Sequence, residues 1–182
     1  MVRIPMPPPH GRADLHNHTT ASDGTLSPRE QVKWAADQGL AAVAVTDMDA
    51  GPAEEVAAAI REAGGKAIAI ALDVTQRPAV EAAIQRTIDE LGGLHILVAL
   101  AGITRDNLLF KMSDEEWDGV INTHLKGSFL VARAAQAQMV GQKYGKMIFT
   151  SSTSALGNRG QASYSAAKAG MQGFARTLAI EL

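Results

Sequence analysis

The sequence predicts an α/β protein of the doubly wound, Rossmann-like kind: a five-stranded parallel sheet with helices on both faces, three layers in all. Three observations carry this. Short, near-continuous apolar runs alternate with longer amphipathic segments along the whole chain, the pattern of a parallel sheet covered on both sides. The helical segments close on glycine, the residue that accepts the left-handed backbone at a helix end. The chain has 182 residues and is 46% hydrophobic, which suits one well-buried core better than two and predicts a single domain over 1–182.

The elements follow in order. Residues 1–11, with "PMPPP", form a proline-rich arm that cannot join a central strand. Strands "RADLHNHT" and "AAVAVTD" flank the helix "SPREQVKWAADQGL", which has Ser27 as N-cap, Pro28 at its first position, Glu30 at its third and Gly39 at its end. Helix "GPAEEVAAAIREAGG", strand "KAIAIALDV", helix "RPAVEAAIQRTIDELGG" and strand "HILVALAG" continue the alternation. A long fourth helix runs from about Ser113 to Gln142, then strand "GKMIFTSS", then a fifth helix from about Ala162 onward.

Charge and composition narrow the function. Lys+Arg total 17 against 19 Asp+Glu, with no basic stripe, so nucleic acid is not an expected partner. The absence of cysteine excludes thiol catalysis and disulfides, and no apolar run is long enough for a signal peptide or a membrane span. A cytoplasmic, soluble protein is expected.

Chemistry concentrates in "YSAAK". Tyr164 and Lys168 are four apart, so on a helix they share a face. An ammonium beside a phenol favours the phenolate and brings down a pKa that starts near ~10. Ser151, thirteen residues before Tyr164 at a strand end, can bond the same carbonyl oxygen, and the trio can protonate a ketone during hydride delivery. The same spacing also occurs as a solvated pair on a surface helix. Near the start, His16 and His18 alternate on a strand and project to one side, with Asp23 as a third possible ligand for a divalent metal. The Ser27 helix start offers free N–H groups to an anion.

Through "LDVT", "LAGITRDNLLFKM", "HLKGSF", "TSSTSALGNRGQASYSAAKAG" and "TLAIEL", residues 51–182 resemble the short-chain dehydrogenase/reductase family, especially its 3-oxoacyl-carrier-protein reductase and hydroxyacyl-CoA dehydrogenase branches. The resemblance implies Ser151, Tyr164 and Lys168 as the catalytic set, with Ser152 as an alternative serine. It implies Asp73, Val74, Ala101 and Gly102 as contacts to a nicotinamide cofactor. His124 stands where the family usually has a fourth catalytic Asn. Ala99 and Leu100 stand where it has two Asn that brace the cofactor region. The family's first βαβ unit should carry a TGxxxGxG turn for the diphosphate, but this chain has "HNHTTASDGTLSP", whose only glycine is Gly24. The family continues past "TLAIEL" into further strands and a substrate lid, which the chain is expected to lack.

Residues 12–49 resemble the first βαβ unit of the PHP (polymerase and histidinol phosphatase) family, through "DLHNHTTASDGTLSP", "AADQGL" and "VTDMD". That resemblance implies His16, His18 and Asp23 as metal ligands, with Met48 where a further His ligand is usual; a thioether suits such metals poorly. The expectation is therefore a chimeric, engineered scaffold. A PHP-derived unit over 12–50 replaces the first unit of a dehydrogenase, strand order is 3-2-1-4-5 with "ADLHNHT" at the centre, and Met48, Ala99 and Leu100 repack the junction. The Ser-Tyr-Lys cluster is residual and without efficient catalysis, and neither cofactor nor metal is expected to bind well. The alternatives are an NAD(P)H-dependent reductase of 3-oxoacyl-type ketones and a PHP-type metal-dependent phosphoesterase. A homodimer through the fourth and fifth helices is the expected assembly.

Overall fold

In a computed structural model, residues 42–182 are described, and the chain divides into two compact units between Ala71 and Leu72. His16, His18, Asp23 and the Ser27 helix start lie outside the described residues.

In the first unit, strand β1 (Ala42–Asp47) leads into helix α1 (Ala50–Glu62) and strand β2 (Lys66–Ala71). The strands pair in parallel, in register from Ala42 against Lys66 to Asp47 against Ala71. Helix α1 begins at Asp49, whose carboxylate accepts from the Gly51 amide at 2.9 Å. Its buried residues Ala53, Ala57 and Ile60 recur at helical spacing, and Ala57 and Ile60 pack on Ala67 of β2. The helix stops in a pair of closing bonds, Gly65 N–H to the Ile60 carbonyl and Gly64 N–H to the Arg61 carbonyl, each 3.0 Å. Gly64 has φ +85°, and a Cβ on Gly65 would sit 2.8 Å from Ile60 Cγ2, so both glycines are required by this turn.

In the second unit, helix α2 (Arg77–Leu91) ends at Gly92 with φ 86°. Strand β3 (Ile96–Ala99) pairs in parallel with β4 (Lys146–Phe149), Ile96 against Lys146 through Ala99 against Phe149. Between them, helix α3 (Asp114–Ile121) passes through a π-turn (Asn122–Lys126) into helix α4 (Gly127–Gly141). Helix α5 (Ala162–Glu181) follows a 3-10 turn (Thr153–Leu156). Leu94, Ala135 and Met139 form a buried cluster that Ile84, Ile88, Leu97 and Met147 complete, joining α2, α4, β3 and β4. Gln142 donates to both the Leu94 and Tyr144 carbonyls at 2.7 Å and so seals the turn between α4 and β4.

Among the described residues there are thus four strands in two parallel pairs. These pairs are two of the neighbour relations in the expected order 3-2-1-4-5; the expected central strand lies outside the described residues. Two expectations are corrected. The strands are shorter than their apolar runs, because β2, β3 and β4 stop before Asp73, Gly102 and Ser151, whose backbone turns away into loops. The long helix is interrupted by a π-turn. The segment that Met48, Ala99 and Leu100 were expected to pack against lies outside the described residues.

Helix α3 starts with a capping box in which Ser113 Oγ accepts from the Glu116 amide at 3.2 Å and Glu116 accepts from the Ser113 amide at 2.9 Å. Ser113→Ala should lower unfolding free energy by about 1 kcal/mol, read from the urea midpoint; an unchanged midpoint would show that the cap does not hold this helix start.

Candidate active site

Parallel strands direct their carboxyl ends to one edge, where ligands of such sheets bind. At that edge the loop after β3 carries Gly102 and Ile103, and the loop after β4 carries Thr150 and Ser151. The two loops are joined beyond the site: Asn107 N–H donates to the Gly160 carbonyl at 2.8 Å, and Gln161 Nε2 donates to Asp106 at 2.8 Å. Helix α5 then runs past both strand ends.

Helix geometry places Tyr164 and Lys168 one turn apart, as their spacing requires, with Lys168 Nζ 5.4 Å from the Tyr164 ring centroid. Lys168 is only 4% exposed, and its ammonium donates to the Thr150 carbonyl at 2.6 Å. Burial pulls the Lys168 amine below the usual lysine range, since desolvation disfavours the charged form. The expected pair is therefore assembled and is not a solvated surface pair.

Ser151 is held differently from a hydroxyl that faces a substrate. Its Oγ donates to the Lys168 carbonyl at 3.1 Å and accepts from Gln172 Nε2 at 3.0 Å, which turns it onto the backbone of α5. The alternative, Ser152, caps the 3-10 turn by accepting from the Ser154 amide at 3.1 Å. Gln172 went unremarked in the sequence, although its position one turn after Lys168 on the same face was a readable signal.

His124 occupies the middle of the π-turn and is 3% exposed. Its ring meets the Tyr164 ring edge to face at 5.1 Å, and Nε2 lies 2.7 Å from the Ile103 carbonyl and 3.0 Å from the Ile103 amide. A Cβ on Gly102 would stand 2.2 Å from His124 Cε1, so only glycine leaves room for the imidazole. The π-turn supplies the extra residue that lets His124 point inward while α3 and α4 stay in line. Similar closeness governs Gly127, where a Cβ would stand 2.9 Å from Val74 Cγ2.

Of the expected cofactor contacts, Asp73 and Val74 are half-buried and Ala101 and Gly102 exposed. Asp73 Oδ1 accepts from the Thr75 hydroxyl at 2.7 Å and the Thr75 amide at 2.9 Å; these bonds hold its carboxyl below the usual carboxylate range. In the first unit, Asp47 ends β1, and its Oδ1 accepts from the Asp49 amide at 3.1 Å. Among the described residues no cluster of His, Cys, Asp and Glu can hold a metal ion, and no helix is long and apolar enough to cross a membrane.

Burial pulls the His124 imidazole below the usual histidine range; its bond to Ile103 opposes the shift and the Lys168 charge adds to it. The unfolded chain then binds more protons than the folded one just below pH 6.5, so the contribution of a neutral His124 is full above that value and lost as pH falls through the folded pKa. Stability should decline with a slope of no more than about 1.4 kcal/mol per pH unit from this group. His124→Asn should flatten that part of the curve in urea titrations at pH 5.5, 6.5 and 7.5; an identical slope would exclude His124 as its source.

Comparison with known proteins accords with this geometry. The family model described as short chain dehydrogenase matches residues 28–182, and so takes in residues 28–49, which the sequence analysis read as PHP-like. The short-chain reductase protein NovJ of Streptomyces niveus is 42% identical over 147 residues, covering 81% of this chain and 56% of that protein. A 3-oxoacyl-[acyl-carrier-protein] reductase of Synechocystis is 45% identical over 131 residues, covering 71% of this chain and 53% of that protein. A hydroxyacyl-CoA dehydrogenase of Mycobacterium tuberculosis is 46% identical over 127 residues, covering 65% and 40%. The chain spans little more than half the length of the first two of these relatives. With the strand-end loops, the Tyr164–Lys168 helix and a family match over most of its length, the chain belongs to the short-chain dehydrogenase family.

Proposed function

We propose that the chain is a chimeric short-chain dehydrogenase scaffold whose first βαβ unit was exchanged for a PHP-like one, with a residual Ser-Tyr-Lys cluster and inefficient turnover. The sheet order 3-2-1-4-5 belongs to the same proposal. The observation that carries the inefficient turnover is the engagement of the Ser151 hydroxyl, which donates to the Lys168 carbonyl and accepts from Gln172; the exchange is supported by the motifs of residues 12–49. Ser151 must give up its donated bond before it donates to a substrate, at a net cost of about 1 kcal/mol.

The family implies a nicotinamide dinucleotide, which supplies or takes a hydride when bound. The chain fits it in part. Asp73 and Val74 offer an adenine edge, and Gly102 offers bare, exposed backbone where a Cβ would already collide with His124. The diphosphate is where the fit fails, because the stretch that should carry its glycine turn has Gly24 alone.

A second reading, NAD(P)H-dependent reduction of a 3-oxoacyl-type ketone, is favoured by the assembled Tyr164–Lys168 pair and by the name of the Synechocystis relative. In it the Tyr164 phenol donates a proton to the carbonyl oxygen while Lys168 holds its charge beside the ring. Calorimetric titration with NADPH and NADH separates the two readings. No saturable binding below millimolar concentration is expected; micromolar binding, about 8 kcal/mol, together with turnover of a 3-oxoacyl thioester, would establish the reductase and refute the exchange as a loss of function.

We also propose a homodimer through α4 and α5. Phe129 and Val140 on α4 are 40% and 57% exposed and Ile180 on α5 is 87% exposed, an apolar surface of the kind that associates. Light scattering should report about twice 19.1 kDa; a mass of 19.1 kDa at tens of micromolar would refute it.

A further inference from the structure

One buried polar atom of the site is unexplained by the cluster described above. His124 Nδ1 is inaccessible and has no hydrogen-bond partner, while Nε2 lies against both polar groups of Ile103. A single ring nitrogen cannot donate and accept at once, so the two contacts describe competing tautomers.

With the proton on Nδ1, the Nε2 lone pair would face the lone pairs of the Ile103 carbonyl at 2.7 Å, and a buried N–H would be left without an acceptor. With both nitrogens protonated, that same unmatched N–H would carry positive charge beside the Lys168 ammonium, which already acts unfavourably on a charged His124. With the proton on Nε2, the short contact becomes a donated bond to the carbonyl and Nδ1 is a bare lone pair. Only the last arrangement leaves no buried donor unmatched on the ring. The titratable groups facing the imidazole are Tyr164, ring to ring at 5.1 Å, and Lys168, both on α5; the loop after β3 contributes Gly102 and Ile103.

We propose that His124 is a positioning residue, fixed as the neutral Nε2–H tautomer, that ties the Gly102–Ile103 loop to the π-turn. The inference rests on the Tyr164–Lys168 pair being the chemical centre of the chain. It goes beyond that reading by making the loop position and the tautomer one linked unit. An aromatic hydrocarbon of similar size could fill the space over Gly102 but could not supply the bond to Ile103.

The test uses the full chain and needs no turnover. Long-range imidazole 1H–15N correlation at pH 7.5, with the His124 signals identified among the five histidines by their loss in His124→Asn, should show Nε2 protonated and Nδ1 bare. A protonated Nδ1 overturns the proposal. The Ile103 carbonyl 13C signal then reads the bond. His124→Phe, which loses the donor, should move it upfield, and His124→Asn, which keeps an amide donor, should leave it close to its place. Equal Ile103 carbonyl shifts in His124→Phe and the unsubstituted chain would reduce His124 to a space filler and sink the proposal. If His124→Phe does not fold, the tautomer spectrum decides alone. Tight NADPH binding would refute the inefficient-scaffold reading and leave these spectra unaffected, while a wrong tautomer would refute the inference and leave that reading standing.

Discussion

A buried ammonium sets the terms for the whole site. Lys168 sits at 4% exposure, and an isolated charge so far from water would be strongly destabilising. The Thr150 carbonyl at 2.6 Å meets it, and that bond ties the middle of α5 to the carboxyl end of β4. Once α5 is held there, Tyr164 one turn earlier must face the same strand ends, and Gln172 one turn later must reach Ser151. The loops beyond follow, since Gln161 at the start of α5 pairs with the Asp106–Asn107 segment.

Close approach makes that geometry possible. The imidazole of His124 needs the missing side chain of Gly102, and Gly127 lets the start of α4 lie against Val74. Gly170 on α5 plays a related part, since a Cβ there would be 3.0 Å from Leu125 Cδ2 on the π-turn. Small residues at these contacts bring a helix, a π-turn and two strand-end loops within hydrogen-bonding reach. Larger ones would keep them a side chain apart, and His124 could then not touch Ile103 and Tyr164 together.

How much of this was legible depends on the range of the interaction that decides it. The Tyr164–Lys168 pair was readable because a helical turn is local: four residues of spacing already fix one face. The parallel pairing of β3 with β4, and of β1 with β2, was readable from apolar runs separated by helices. The π-turn was not, since "NTHLK" differs in no visible way from ordinary helix and its extra residue is demanded by contacts far along the chain. Ser151 lies in the loop two residues beyond β4, near the strand end the sequence predicts, yet its bonds to Lys168 and Gln172 depend on where α5 is docked.

The two halves of a dinucleotide-linked site thus have unequal dependence on the beginning of the chain. Tyr164, Lys168, Ser151, His124 and the groups that hold them, Thr150, Gln172, Gly102 and Ile103, all belong to residues 72–182, one compact unit. Among the described residues, the bonds named above at the carbonyl-handling end are internal to that unit. The diphosphate grip is different: it needs a glycine turn at a helix start, and this family places that turn in the first βαβ unit. A correctly arranged Tyr-Lys pair is evidence for the family and for local folding, and activity remains a separate matter.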